Sequence, residues 1–332
     1  MAEGDEPGGP ALYASDTLRA VPTVSDAARF AAQGAELVTF RPIRQREREP
    51  FGAAFARKYG LNAIHVSPAG NHWYQYPDLD ACLAAIRPRV AAGATIYGAS
   101  MGGYAAATYA DHFAPCKALA IAPQFTIHPE VVESFDRRWG RFAAHIDFRA
   151  DHAAVARHAH LYLVYDPAGP DAPHARMIAE RAAHVSRVEV PGGGHKVTQT
   201  LAEAGLLSQL VLKVVRGEPT AEELSAFLRE GLGGNALHHM MAATEDAPRR
   251  EQHLREGVAR FPDDLRLRYA LATCLHTAGS RAEARPHYEY VIRREPQRAA
   301  WRKRYLQLCR QMGVAPDPAL AEAPARRRPR VS

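Results

Sequence analysis

From residue 36 onward, short apolar and β-branched runs alternate with longer stretches whose apolar positions recur at helical spacing. The runs predict strands at 37–40, 62–66, 94–99, 117–122, 161–165 and 187–190. The stretches between them predict helices around 51–58, 79–91, 101–111, 174–184 and 196–215. Strands that alternate with helices in this way form βαβ units, so the expected class is α/β, with a mostly parallel sheet, flanking helices and right-handed crossovers over residues 35–216. Residues 1–34 open on a Gly/Pro/acid stretch expected to be partly disordered, and 25–32 reads as a short capped helix. Residues 124–158 form an insertion with the cluster Phe135-Asp-Arg-Arg-Trp-Gly-Arg-Phe142. A cap over a site and an ordinary helical connection are both open readings of it. Past Arg216-Gly-Glu-Pro-Thr220 the strands cease, and 219–312 reads as an all-α second domain, followed by a basic tail, 313–332, expected to be disordered.

The third predicted strand runs into Gly98-Ala99-Ser100-Met101-Gly102, and a small-residue helix follows. In a G-x-S-x-G turn between strand and helix the serine sits on strained backbone, and the flanking glycines leave room for neighbouring elements. Ser100 is therefore the candidate nucleophile, and it needs a base and a carboxylate to orient that base. On these residues the chain resembles the α/β-hydrolase superfamily, which implies the order serine, acid, histidine. His195 follows the last strand and Pro191-Gly-Gly-Gly194, matching the superfamily's histidine loop. His65, His72, His128 and His174 read as pocket or surface residues. For the acid, the loop after 161–165 offers Asp166 and Asp171. Asp171 resembles the superfamily's acid better, because Ala172-Pro173-His174 starts the next helix; Asp166, beside Pro167, suits fixing the loop. A plain helix N-cap also suits Asp171. The resemblance places the oxyanion hole at the Met101 N–H with a second donor from Phe40 or Arg41. Thr39-Phe40-Arg41-Pro42 lacks the His-Gly-Gly-Gly phrase of lipase-like relatives. Arg41 suits either an anionic substrate group or the surface.

Asn71-His72-Trp73-Tyr74-Gln75-Tyr76 follows the second strand and is the densest polar-aromatic cluster in the chain. His72, Trp73 and Tyr74 are candidate substrate contacts that would stack on a sugar or acyl chain; a packed aromatic loop supporting the elbow is the other reading.

In the helical domain Pro262 and Pro296 stand 34 residues apart, closing similar phrases. Leu271-Ala272, Leu275, Gly279, Ala284, Tyr288 and Val291 then resemble the packing positions of a tetratricopeptide (TPR) repeat. Arg268 departs from that pattern; Leu267 and Trp301 take its role from the adjacent position, and Tyr305, Leu306 and Cys309 continue the next unit. With Leu254 and Val258 upstream, about two and a half repeats cover 236–312.

Hydrophobic content of 47% and charged content of 23% are globular values, which disfavours a disordered or membrane protein. Of the net charge of +6, four charges come from Arg326, Arg327, Arg328 and Arg330 in the tail, so nucleic acid is not an expected partner. Cys82, Cys116, Cys274 and Cys309 lack disulfide-frame or zinc spacing. No P-loop or His-Glu-x-x-His motif is present, so no cofactor or metal is expected. The acidic start and the lack of a long apolar stretch predict a cytoplasmic protein with no membrane span. The expected activity is a serine hydrolase cleaving a carboxylic ester or thioester of a small molecule or glycan through an acyl-enzyme. Two alternatives stand beside it: an acyltransferase using the same triad, and a non-catalytic TPR protein that binds a protein partner and carries a vestigial hydrolase domain.

Overall fold

The structure, a computed structural model, describes residues 10–43, 49–191, 193–232, 236–245 and 247–322 of the 332-residue chain. It divides into two compact units, the boundary falling between Gly231 and Leu232. Eight strands form one sheet: β1 (Tyr13–Ala14), β2 (Leu18–Thr23), β3 (Ala35–Phe40), β4 (Ala63–Pro68), β5 (Val90–Ala99), β6 (Lys117–Ile121), β7 (His160–Tyr165) and β8 (His184–Glu189). Their order is β1-β2-β4-β3-β5-β6-β7-β8. β2 runs antiparallel to β1 and β4, and every other pairing is parallel. The helices of this unit are α1 (Ala27–Gln33), α2 (Ala53–Tyr59), α3 (Leu79–Ile86), α4 (Met101–Tyr109), α5 (Pro129–Val132), α6 (Gly140–Ala143), α7 (Ala172–Ala179), α8 (Val197–Glu203), α9 (Leu207–Arg216) and α10 (Ala221–Leu232). This mostly parallel sheet with flanking helices agrees with the α/β-hydrolase architecture that the resemblance implies.

The central strands read as unbroken apolar runs because both faces of the sheet are covered. Every residue from Ala94 to Ala99 in β5, and every residue of β6, is buried. Because β3 to β8 point the same way, their carboxyl ends share one edge. That edge is where open α/β sheets collect their functional groups.

Several elements differ from the sequence expectation. Two strands lie inside the 1–34 segment; the first nine residues, where disorder was expected, fall outside the described residues. β2 is hard to see in the sequence because only Leu18, Ala20 and Pro22 alternate with more exposed positions, and Pro22 argues against a strand. The structure accommodates Pro22 beyond the two residues that β1 covers. The helix expected to reach residue 91 stops at Ile86, ahead of Pro88, which has no N–H to continue it. The long helix expected at 196–215 is two, parted at Gly205 with φ +72°. The first unit also runs past the expected boundary at 219. Within it Lys213 Nζ lies 4.9 Å from the Phe227 ring centre, and Gly231 packs against Leu206.

The second unit contains α11 (Ala236–Glu245), α12 (Arg250–Arg260), α13 (Leu265–Thr277), α14 (Arg281–Arg294), α15 (Ala299–Met312) and α16 (Pro318–Ala321). Each helix from α11 to α15 packs on its neighbours in sequence. Leu267, Leu271, Ala272, Leu275, Ala284, Tyr288, Val291, Trp301, Tyr305 and Cys309 are buried in its core. α16, with Leu320 buried, lies in the segment expected to be a disordered tail; the four tail arginines lie outside the described residues.

One buried ladder crosses the antiparallel side of the sheet. The imidazole of His65 on β4 bridges Thr39 Oγ1 on β3 at 2.8 Å and Thr23 Oγ1 on β2 at 3.0 Å. Thr39 donates its own proton to the Phe51 carbonyl, so it accepts from His65 Nδ1. Burial holds the His65 pKa down at about 4. The unfolded chain, with the ordinary value of 6.5, binds more protons between pH 4 and 6.5, so stability rises with pH across that window and is lost as pH falls through it. His65 accordingly makes wild-type stability fall by about 3 kcal/mol more than that of His65→Gln between pH 6.5 and pH 4. Urea unfolding of both proteins across this range checks it, and parallel pH curves would exclude it.

Candidate active site

β5 ends at Ala99, and Ser100 takes φ +52° and ψ −120° before α4 begins at Met101. That left-handed φ is unusual for a residue with a side chain and is held by its surroundings. The Ser100 N–H donates to the Ile121 carbonyl on β6 at 2.9 Å, and the Ser100 carbonyl accepts from Tyr104 N at 2.9 Å. The glycines of the motif have steric reasons. A Cβ on Gly98 would lie 2.0 Å from the Gly102 carbonyl oxygen, and one on Gly102 would lie 2.1 Å from the Phe40 carbonyl oxygen. The end of β3 and the start of α4 are therefore in contact at the elbow.

Loops from three more strand ends meet Ser100. Ser100 Oγ lies 3.0 Å from His195 Nε2, and His195 Nδ1 lies 2.7 Å from Asp171 Oδ2. An ionised carboxylate only accepts, so Nδ1 carries the proton and Nε2 is left to accept from the serine hydroxyl. Asp171 stands at the N-cap position of α7, yet its side chain makes no capping bond. Instead its Oδ1 accepts from Arg138 Nη2 at 2.7 Å and Gln124 Nε2 at 3.4 Å. Asp166 does not face the imidazole. Its Oδ1 accepts from Ala168 N at 3.0 Å and its Oδ2 from Gly194 N at 2.8 Å, so it clamps the residue before His195.

The insertion is built into this site. Phe125, Ile127, Ala143 and Ala156 belong to the main core. Trp139 sets its ring edge-on to His195, with 5.2 Å between centroids, and against Trp73, also at 5.2 Å. Arg138 is held by Asp136, through Nε to Oδ1 at 2.8 Å and Nη2 to Oδ2 at 2.6 Å. His174 Nδ1 accepts from the Phe125 N–H, so its Nε2 carries the proton and donates to Asp136 Oδ2 at 3.0 Å. Burial works against ionising Asp136, but the hydrogen bonds from Arg138 and His174 outweigh it and hold the carboxyl well below the usual range. Sequence reasoning marked 135–142 as a cluster but did not single out Asp136 or Arg138, and it missed Gln124. Charged and amide residues in a connection look alike whether they face water or a carboxylate.

Of the expected substrate contacts, Trp73 and Tyr74 are 1% and 0% exposed. Trp73 Nε1 donates to Gln124 Oε1 at 3.1 Å, and Tyr74 OH to the Arg41 carbonyl at 2.9 Å. Both take left-handed backbone, φ +49° and +57°. Gln75 continues the pattern, donating through Nε2 to the Trp73 carbonyl at 3.0 Å and to Tyr104 OH at 2.8 Å. This is a packed aromatic loop that supports the elbow and the end of β3. His72 packs on Tyr76, 5.4 Å between centroids. Met101 is the first residue of α4, where a helix leaves its N–H without an internal acceptor. The Arg41 N–H is engaged, donating to the Val66 carbonyl at 3.1 Å.

Among the described residues no group of three or more His, Cys, Asp or Glu side chains is arranged to hold a metal ion, and no helix is long and apolar enough to cross a membrane.

No protein-family model and no curated protein sequence matches the chain. Similar solved structures include Est1E from Butyrivibrio proteoclasticus, at 12% identity and TM-score 0.42 over 63% of this chain and 99% of that one. The capsule O-acetyltransferase of Neisseria meningitidis serogroup A, in complex with caged gadolinium, is similar at 11% identity and TM-score 0.41 over 63% and 94% of the two chains. XC6422 from Xanthomonas campestris, described as an α/β serine hydrolase without lid, is similar at 14% identity and TM-score 0.32 over 65% and 88%. Likeness at this level carries no residue role across, so the geometry above stands by itself.

Gly102→Ala forces β3 and α4 apart, and it lowers the melting temperature by about 5–10 °C, from an overpacking cost of about 2–3 kcal/mol. At Gly140, where an added Cβ meets nothing within 4 Å, the same change leaves the melting temperature within about 1 °C of wild type. Thermal unfolding of the two variants measures the difference, and equal effects would contradict the close approach.

Proposed function

We propose that the protein is a serine hydrolase acting on a carboxylic ester or thioester, with Ser100 as nucleophile, His195 as general base and acid, and Asp171 as the orienting carboxylate. The observation that carries this reading is the unbroken chain Ser100 Oγ, His195 Nε2, His195 Nδ1, Asp171 Oδ2, with links of 3.0 and 2.7 Å. The Ser100 proton passes to Nε2 as Oγ bonds to the acyl carbon, and the Met101 N–H receives the developing oxyanion. As the intermediate collapses, the bond to the leaving alcohol or thiol breaks and that group takes the proton from Nε2. Water then repeats the cycle on the acyl-enzyme, giving its proton to Nε2 and releasing the acid with Ser100 restored. Asp166 positions the histidine loop through Gly194.

We infer for the second unit a TPR-like array that supplies a surface for a protein partner or stabilises the chain. Burial of the packing residues expected from the 34-residue spacing supports that reading. Gly279 also turns the chain between α13 and α14 with φ +91°.

A fluorophosphonate probe tests the chemistry. Wild type labels, Ser100→Ala does not, and Asp171→Ala slows labelling by about 10³-fold or more. Asp166→Ala slows it less, because only the loop loosens. A folded wild type that stays unlabelled would sink the hydrolase reading, and a larger loss at Asp166 than at Asp171 would reverse the acid assignment. A chain ending at residue 232 retains labelling if the second unit serves recruitment; aggregation of that chain assigns the second unit to stabilisation.

A further inference from the structure

The carboxylate proposed to orient His195 is shared with a cation carried by the insertion. We propose that Arg138, carried by the insertion, is a positioning residue for this site: it holds Asp171 with Oδ2 toward His195 and sets the pH at which the site loses activity. The assignment rests on the serine-hydrolase reading and deepens it.

Four observations converge. Asp171 is 1% exposed and makes no helix-capping bond, so its orientation is set by side chains: His195 on Oδ2, and Arg138 and Gln124 on Oδ1. Arg138 is itself fixed, because Asp136 grips it through two of its nitrogens, a fork geometry that lysine does not reproduce. Asp136 is 4% exposed and is in turn held by His174, which is fully buried on α7, the helix that Asp171 begins. The neighbouring Trp139 packs on the imidazole, so the segment that supplies the cation also shapes the histidine's other face.

The charges give this arrangement a consequence beyond alignment. The groups facing His195 are Asp171 at the start of α7, Ser100 at the elbow and Trp139 from the insertion, with Asp166 behind on the Gly194 N–H. Behind Asp171 lie Arg138, Asp136 and His174. One guanidinium stands among three buried carboxylates, Asp171, Asp136 and Asp166, so the cluster beside the imidazole is net negative even with Arg138 in place. Removing the guanidinium makes the cluster more negative, which favours a protonated imidazole and also favours protonation of one carboxylate. Both effects abolish the active form at higher pH, so they move the acidic limb of activity in the same direction.

The experiment is the rate of fluorophosphonate labelling from pH 4 to 9 in wild type, Arg138→Gln and Arg138→Lys, each checked by circular dichroism and thermal unfolding. Arg138→Gln moves the acidic limb up by about one pH unit and lowers the plateau rate by about tenfold or more. Arg138→Lys keeps the charge and loses the fork, so its limb stays with wild type while its plateau falls. A limb in Arg138→Gln that coincides with wild type overturns the electrostatic role, and a wild-type plateau in Arg138→Lys overturns the positioning role. If Arg138→Gln does not fold, Arg138→Met takes its place in the comparison of acidic limbs, and the Arg138→Lys plateau still decides the positioning role. A wild type that does not label overturns the hydrolase reading and this assignment with it, whereas a labelling wild type with an unchanged Arg138→Gln profile overturns only the assignment.

Discussion

The contact between the end of β3 and the first turn of α4 is the constraint on which the rest of the site depends. The Phe40 carbonyl sits where a side chain on residue 102 would begin, and the Gly102 carbonyl sits where one on residue 98 would begin. Only hydrogen at both positions lets the chain reverse from β5 into α4 so tightly. The tightness forces Ser100 into left-handed backbone, a conformation that costs of order 1–3 kcal/mol and persists only inside a rigid frame. That frame is visible: β5 and β6 are buried on both faces beside the turn, and Ser100 is tied to β6 through Ile121.

Around this fixed point a set of polar side chains is linked in series. The Asp171 carboxylate serves His195 on one oxygen and Arg138 and Gln124 on the other, and Gln124 accepts from Trp73. Arg138 is shared with Asp136, whose other buried partner is His174. Leaving any one of these groups without a partner inside the protein costs more than a single hydrogen bond returns, so the network locks the histidine loop, the insertion and α7 together. The insertion is accordingly part of the frame, with Phe125, Ile127, Ala143 and Ala156 in the main core and Arg138 against Asp171.

The aromatic loop after β4 follows the same logic. Trp73 and Tyr74 are large enough to stack on a ligand, but each has its polar atom committed inward, to Gln124 and to the Arg41 carbonyl. Both residues take left-handed backbone, and both side chains are buried in the core. Such a loop props the end of β3, against which α4 packs.

The sequence by itself determined what depends on local pattern. Continuous apolar runs marked the central strands, G-x-S-x-G marked the elbow because glycine is required on both sides, and the Gly-rich loop after the last strand picked out His195. β2 escaped because a strand that contains a proline is recognised only through its pairing with β4. The orientation of Asp166 and Asp171 was beyond sequence as well: both follow β7, and only the path of the loop turns one toward Gly194 and the other toward His195. Nothing local distinguishes Arg138 from its neighbours in the 135–142 cluster, or Gln124 from the other polar residues of the connection. These two acquire a role because parallel strands bring distant loops to one edge, where a charge from the insertion meets a carboxylate 33 residues away in the chain. Local pattern specifies elements and turns; which polar groups then face each other is decided by packing in three dimensions.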